Sequence, residues 1–400
     1  MPDPSPRTTK RRSAAVVAAR LAGEASRRLT GGQGRTISGT VFLRLARPRT
    51  LERVARAATC VLVSGTNGKT TTTALIARAA ATAGPVATND TGANLIGGIY
   101  SALLDAPEEA TAVLEVDELT LPRALATMRP SVVALLNLSR DQLDRMHEVR
   151  RIAALWHEAL DGFAGVVVAN ADDPLVVWST RSTARVVWVA GANDWNLDAT
   201  ACPSCSSTID FDADGWRCRD CELHRPPAPP LEVVPELALP GRCNVANANV
   251  ALAVLRELGV PRESVAAWTA MSSVAGRYQR VATKWGEVRT LLAKNPAGWA
   301  ETFEVLDPQR GLVIGLNSRP EDGADPSWIW DVPFERLAGR TVVCAGDRGT
   351  DLAVRLHTAG LDVSIEAELT AAIAAAPGDV DFVGNYSAFR DALGMLRRAG

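Results

Sequence analysis

The chain has 400 residues, 47% of them hydrophobic, enough for more than one core, because single cores rarely grow past about 250–300 residues. A formal net charge of −2 gives no overall drive toward nucleic acid. No stretch approaches the roughly 20 apolar residues that cross a bilayer, and the N-terminal run lacks the apolar segment and cleavage site of a secretion signal, so a cytoplasmic enzyme is expected.

Charge is unevenly spread. Residues 1–60 carry 13 Lys/Arg against 3 Asp/Glu, a basic N-terminal region (1–50) suited to an anionic membrane face or to phosphate-rich ligands. A basic, partly disordered leader is the plainer reading. Residues 13–29 have helical periodicity, ended by glycines at 31, 32 and 34, and 51–58 form a second short helix. Residues 60–64 read as a buried strand, 65–69 as a tight loop and 70–83 as a helix. Strands at 112–116, 132–136, 166–170 and 186–190, with a helix at 149–160, indicate a parallel sheet covered by helices. A cysteine-bearing insert at 198–228 and a proline run at 226–230 interrupt it before a long helix at 244–258. The pattern breaks near 290–310. Strands at 311–316, 341–345 and 379–383 then alternate with helices at 351–359 and 369–376, a smaller second α/β domain. The chain is thus divided as 51–290 and 291–400.

Gly65-Thr66-Asn67-Gly68-Lys69-Thr70-Thr71 lies between the strand at 60–64 and the helix that follows. Glycines let backbone N–H groups face an anion, and the helix N-terminus adds its positive end. Lys69 reaches β- and γ-phosphates and Thr70 completes a Mg²⁺ shell, so ATP is the expected nucleotide. Lys69 is expected to serve phosphate rather than a core. The run departs from G-x-x-x-x-G-K-[ST] at Val63. Magnesium needs further oxygen ligands. Glu115, at the carboxyl end of its strand, is the preferred one, with Asp117 and Glu118 beside it as helix caps or alternatives. Asn137, Asp141 and Asp144 form another polar cluster at a strand end.

Cys202-x2-Cys205 and Cys218-x2-Cys221 supply four thiolates around a short hairpin at Asp214-Gly215, a tetrahedral set for structural Zn²⁺. An iron–sulfur cluster, disulfides or free thiols are the alternatives, and His224 can replace one ligand. Four cysteines leave no open position for a catalytic zinc. Cys60, Cys243 and Cys344 read as small core residues.

With these motifs in place, the sequence resembles the Mur ligase family, most closely its MurT branch. The resemblance is carried by Gly65–Thr71, Leu114-Glu115-Val116-Asp117-Glu118 and Asn137-Leu138-Ser139-Arg140-Asp141-Gln142-Leu143-Asp144. It is also carried by Gly241-Arg242-Cys243-Asn244 with Asn247, by Gly276-Arg277-Tyr278 and by Lys294-Asn295-Pro296-Ala297-Gly298. Further matches are Trp328-Ile329-Trp330-Asp331, Asp347-Arg348, Asp351-Leu352-Ala353 with Arg355, and Asn385-Tyr386-Ser387. Gln142 stands where Mur ligases usually have a metal-binding histidine, and His147 does not match that position. The short N-terminal region lacks room for the substrate domain of larger relatives.

The resemblance implies an α/β fold: a Mur-ligase-type central P-loop ATPase domain with an inserted four-cysteine zinc ribbon, then a smaller α/β C-terminal domain. It implies that Asn244 and Asn247 contact adenine, although an N-cap role for Asn244 is the structural alternative. The implied reaction is ATP-dependent amidation of the D-glutamate α-carboxyl in the lipid II stem peptide through an acyl phosphate. Ammonia would come from a GatD-like glutamine amidotransferase subunit, to whose catalytic histidine Asp351 would be supplied across the interface. A helix cap or a pair with Arg348 or Arg355 is the local alternative for Asp351. The competing functions are an amino-acid-adding Mur or folylpolyglutamate-type ligase and a non-catalytic, nucleotide-dependent zinc-ribbon interaction module.

Overall fold

The computed structural model describes residues 13–29, 36–56, 59–89, 92–107, 109–141, 148–191, 195–271, 273 and 277–399. Three helices come first: α1 (Ala14–Leu29), α2 (Ile37–Leu45) and α3 (Pro48–Ala55). The sequence reading missed α2 and placed α3 three residues late. Pro48 at the first helical position sets the earlier start, since its fixed φ suits a helix and its missing N–H is unneeded there.

The central layer is built from β1 (Cys60–Ser64), α4 (Lys69–Ala80), β2 (Val86–Thr88), α5 (Ile96–Asp105), β3 (Thr111–Glu115), α6 (Leu121–Met128), β4 (Val132–Leu135), α7 (Val149–Leu160), β5 (Val166–Asn170), α8 (Pro174–Ser179) and β6 (Val186–Val189). Its strands run β2-β3-β1-β4-β5-β6, all parallel. Apolar, β-branched runs such as Cys60-Val61-Leu62-Val63 form the central strands because both faces are covered, and β1 is buried at every position. The order places β1 between β3 and β4. The chain leaves β1 toward one side and later returns to the other, which opens a crevice at the carboxyl ends of these three strands.

A hairpin of β7 (Ile209–Asp212) and β8 (Gly215–Cys218) leads to α9 (Arg242–Glu257). This helix starts two residues before the expected 244, because Gly241, at φ +97, makes the turn into it. Asn244 therefore lies inside the first turn and is not the N-cap. Its amide donates to Pro240 O at 2.6 Å.

The second sheet holds β9 (Tyr278–Thr283), β10 (Gly286–Leu292), then, after α10 (Pro296–Phe303), β11 (Gly311–Gly315) and β12 (Thr341–Ala345). After α11 (Gly349–Thr358) come β13 (Asp362–Ile365), α12 (Leu369–Ala375), β14 (Val380–Gly384) and α13 (Tyr386–Ala399). The order is β13-β12-β11-β14-β10-β9, parallel except for the β9–β10 hairpin. That hairpin, absent from the sequence reading, begins before residue 291 and belongs to this sheet. The Arg289 guanidinium makes paired bonds to the fully buried Asp381 carboxylate at 2.7 and 2.6 Å, locking β10 to β14. One continuous apolar core joins the two sheets, running from Leu75 and Ile76 on α4 through Trp268 to Trp299 and Phe334. Trp268 also donates to Leu75 O at 2.8 Å. Among the described residues, no helix is long and apolar enough to cross a membrane.

Candidate active site

The loop after β1 needs two glycines for separate reasons. Gly65 has φ +144, and a Cβ there would stand 2.8 Å from Leu136 Cβ; Gly68 has φ +84, and a Cβ there would strike Asn247 Oδ1. The next strand end holds the loop in shape. Asn137 O accepts from Thr66 N at 2.9 Å, and Asn137 Oδ1 accepts from Asn67 N at 2.9 Å. Ser139 N donates to Thr66 Oγ1 at 3.0 Å. Asn137 thus acts as a brace for the loop. Thr71 follows on the first turn of α4, buried and lining the cavity described below.

Lys69 opens α4 and is 4% exposed. Its Nζ donates to Gly65 O, to Thr66 O at 3.2 Å and to Glu118 Oε2 at 3.2 Å. The lysine therefore has a structural part besides any phosphate, which corrects the expectation that it serves phosphate alone. Burial opposes its charge, but Glu118, Glu115 and Asp141 outweigh burial and raise its pKa. Thr70 Oγ1 donates to Glu115 Oε2 at 2.9 Å, and Glu115 is fully buried. Asn89 fixes the Glu115 backbone through bonds of 2.7 and 2.8 Å. A hydroxyl and a carboxylate so close, beside a helix N-terminus, fit a Mg²⁺ ion, whose preferred ligands are oxygens. Asp117 is a local turn residue, accepting from Leu119 N at 3.0 Å. Glu118 has a larger part than capping.

The second sheet's side reaches the loop through residues 294–298. Lys294 Nζ bonds Asp141 Oδ2, and the Asn295 and Asn67 side chains meet at 3.4 Å. Among the described residues, Asp141 Oδ1 is buried without a hydrogen-bond partner. Asp144, Gln142, His147 and Gly276 lie outside the described residues.

A cavity of about 120 Å³ extends from Asn67, Gly68 and Thr71. Asn244, Asn247 and Cys243 on α9 line one wall; Tyr278, Leu291, Glu301 and Val305 line the other. The two expected adenine contacts are therefore brought beside the loop. Burial pushes the Glu301 carboxyl up to about 7; the Cys243 thiol acts against this and Glu304 with it. Sequence reasoning missed Glu301 altogether, took Glu118 for a cap or a spare metal ligand, and had Asn295 only as part of a matching run. The available signals were the acidic residue three places after Glu115 and the Lys-Asn-Pro break.

Cys202, Cys205, Cys218 and Cys221 converge, their sulfurs all within 4.8 Å of one another. Cys202–Cys221 are 3.6 Å apart and Cys205–Cys218 3.4 Å. Tetrahedral zinc with bonds of about 2.3 Å separates its sulfurs by roughly 3.8 Å, so the set fits. His224 is outside it, its Nδ1 2.7 Å from Glu222 O. The ribbon has a small core around Ile209 and Trp216. Trp216 Nε1 donates to Ala171 O at 3.0 Å, and Arg225 bonds Asp172, which anchors the ribbon to the end of β5.

Asp351 stands apart from the loop, in the first turn of α11. It is half-exposed and paired with Arg348 at 2.8 Å. Asp347, four residues earlier, is similarly exposed and is held by Arg319 at 2.7 Å.

A phosphate-type loop at the switch point of a parallel sheet, a buried hydroxyl–carboxylate pair beside it and a second α/β layer closing over a base-sized cavity define a nucleotide-binding ligase of the Mur type. The Mur ligase middle-domain family matches residues 63–255, and the MurT ligase C-terminal family matches residues 292–389. The chain is 29% identical to the MurT subunit of lipid II isoglutaminyl synthase (glutamine-hydrolyzing) from Staphylococcus aureus, covering 96% of this chain and 98% of that one. With the same-named subunit from Streptococcus pneumoniae the identity is 30%, over 82% and 83%. Among solved structures, pseudomurein peptide ligase type C from Methanothermus fervidus shares the fold with a TM-score of 0.67 at 18% identity, covering 86% of this chain and 79% of that one. The chain belongs to the MurT branch of the Mur ligase family, and it is a ligase.

Lys69→Ala should abolish nucleotide-dependent turnover and also lower stability, by on the order of 3 kcal/mol, because Glu118 is left buried alone. That loss should grow as pH rises and Glu118 must ionise without its partner. Denaturant melts of Lys69→Ala and of Lys69→Ala/Glu118→Gln check it: the double variant should recover stability but not activity. Separately, Cys202→Ser or Cys221→Ser should lose bound metal and melt lower than wild type. Metal analysis and melting temperature measured on one sample decide it, since a metal-free variant melting with wild type would exclude a structural centre.

Proposed function

We propose that the chain is the synthetase subunit of a complex that amidates the D-glutamate α-carboxyl of the lipid II stem peptide, using ATP. The observation that carries this reading is the Lys69–Thr70–Glu115 cluster at the loop, together with relatives named lipid II isoglutaminyl synthase subunit MurT across nearly the whole chain. A carboxylate resists ammonia because its oxygens leave poorly. Phosphorylation to an acyl phosphate supplies a good leaving group. Gly65 to Thr71 would cradle the phosphates of ATP, with Asn244 and Asn247 at the adenine. Lys69 would turn from Glu118 toward the transferring phosphoryl group and stabilise its charge. Mg²⁺, held by Thr70 and Glu115, supplies further charge neutralisation when bound. Zn²⁺ on Cys202, Cys205, Cys218 and Cys221 would be structural.

Ammonia would arrive from a GatD-like glutaminase, and Asp351 would be a positioning residue for its histidine, orienting the ring by accepting from the second nitrogen. The exposure of Asp351 at the start of α11 suits this. The test supplies the partner, lipid II, ATP and Mg²⁺, with either glutamine or ammonium as nitrogen source, and reads the product by mass. Conversion of a carboxyl to a carboxamide is expected. Addition of an amino acid instead would establish the competing ligase reading. Asp351→Asn should lose the glutamine-driven reaction selectively, and equal loss with both sources would place Asp351 in the synthetase chemistry or the fold.

The N-terminal helices would hold the enzyme near its lipid-linked substrate. Arg44, Arg47, Arg49 and Arg53 are exposed, and Leu45 between them is 56% exposed. Basic side chains around a protruding apolar one suit an anionic bilayer. Arg47→Glu/Arg49→Glu/Arg53→Glu should release the protein from anionic vesicles at low salt, as removal of residues 1–12 should in part. Vesicle binding equal to wild type would remove the membrane role.

A further inference from the structure

The base cavity contains one carboxylate that neither the phosphate loop nor the cysteine cluster uses. Glu301 is on α10, less than two turns beyond Asn295, whose side chain meets Asn67. It lines the 120 Å³ cavity and also a smaller one of about 30 Å³ next to it, together with Cys243 and Asn247. Among the described residues no ion pair meets it. Its side-chain partner is the Cys243 thiol, a weak donor. A carboxylate is costly to hold away from water and needs a donor to satisfy it.

Of the other polar groups on these walls, Arg277, whose charge also acts on Glu301, and Lys294 only donate and so favour a 6-oxo purine. Asn244 and Asn247 each carry a donor and an acceptor, so their amides suit a 6-amino or a 6-oxo purine equally well. Glu301, pushed up to about 7 by burial, is ionised above that pH and then only accepts, so the discrimination is read at a pH well above it. Leu239, Pro240, Leu291 and Val305 supply apolar surface for the faces of a flat base. We propose that Glu301 selects adenine, its carboxylate accepting a hydrogen bond from the exocyclic 6-amino group and repelling a 6-oxo group. This rests on the reading of the loop as an ATP site and adds a specificity residue contributed by the second half of the chain.

ATP and ITP test it directly, because the bases differ at position 6 and the phosphates are the same. Titration of the full chain with each nucleotide in Mg²⁺ gives two dissociation constants. Wild type should bind ATP roughly 10- to 100-fold tighter than ITP, the scale of one hydrogen bond to a charged group. Glu301→Gln, close in shape and able to donate, should bring the two within about threefold of each other, chiefly by gaining ITP. Glu301→Ala should weaken ATP and strengthen ITP as the repulsion is removed, and melting curves confirm that both variants are folded. An unchanged ATP/ITP ratio in both variants overturns the proposal, as does a wild type that binds the two equally or prefers ITP. A wild type that binds no nucleotide overturns the ATP reading itself, which is a different result.

Discussion

A positive charge kept out of water governs the centre of this molecule. The Lys69 side chain is almost fully buried, and an uncompensated ammonium there would cost several kcal/mol. The loop answers by turning the Gly65 and Thr66 carbonyls onto the ammonium. The connection from β3 to α6 brings Glu118 within 3.2 Å, and α7 fixes that backbone through Trp156 Nε1 to Glu118 O at 2.9 Å. Loop shape, strand order and helix packing therefore serve one electrostatic requirement.

Much of this was legible because it is local. Strand, glycine turn and lysine lie within ten residues, and the cysteine knuckles carry their spacing in the chain. The parallel sheet followed from apolar runs separated by helical stretches. What could not be read depends on distance. Glu118 looked like a cap because nothing in sequence ties it to a lysine 49 residues away. Asn295 meets Asn67 across 228 positions, and Glu301 gains meaning only when α10 folds against α9. The misplacement of the α9 start had a smaller cause, a glycine with positive φ replacing the asparagine as the helix entry. The β9 strand of the β9–β10 hairpin was hidden because its alternating, half-exposed residues resemble a loop in a chain otherwise read for fully buried strands.

The crevice is a joint between two sheets. Lys294 to Asp141, Asn295 to Asn67 and Arg140 to Asp331 at 3.1 Å all cross it. The shared core beneath is continuous through Trp268 and Trp299. Polar contacts above a continuous apolar core suit the proposed phosphoryl transfer, which needs water shut out.

The ribbon's attachment extends this mechanical connection to a chemical one. Arg150 holds Cys202 O and Ser206 Oγ, each at 3.1 Å, Trp216 holds the end of β5, and the chain leaving Cys221 passes through Arg225 and the proline run straight into Gly241 and α9. Asn244 and Asn247 stand in the first turns of that helix. On the proposed reading, in which the four thiols hold zinc and α9 meets the base, oxidation of those thiols would slacken the lead into α9, so the redox state of the compartment would register as a change in how firmly the base is gripped.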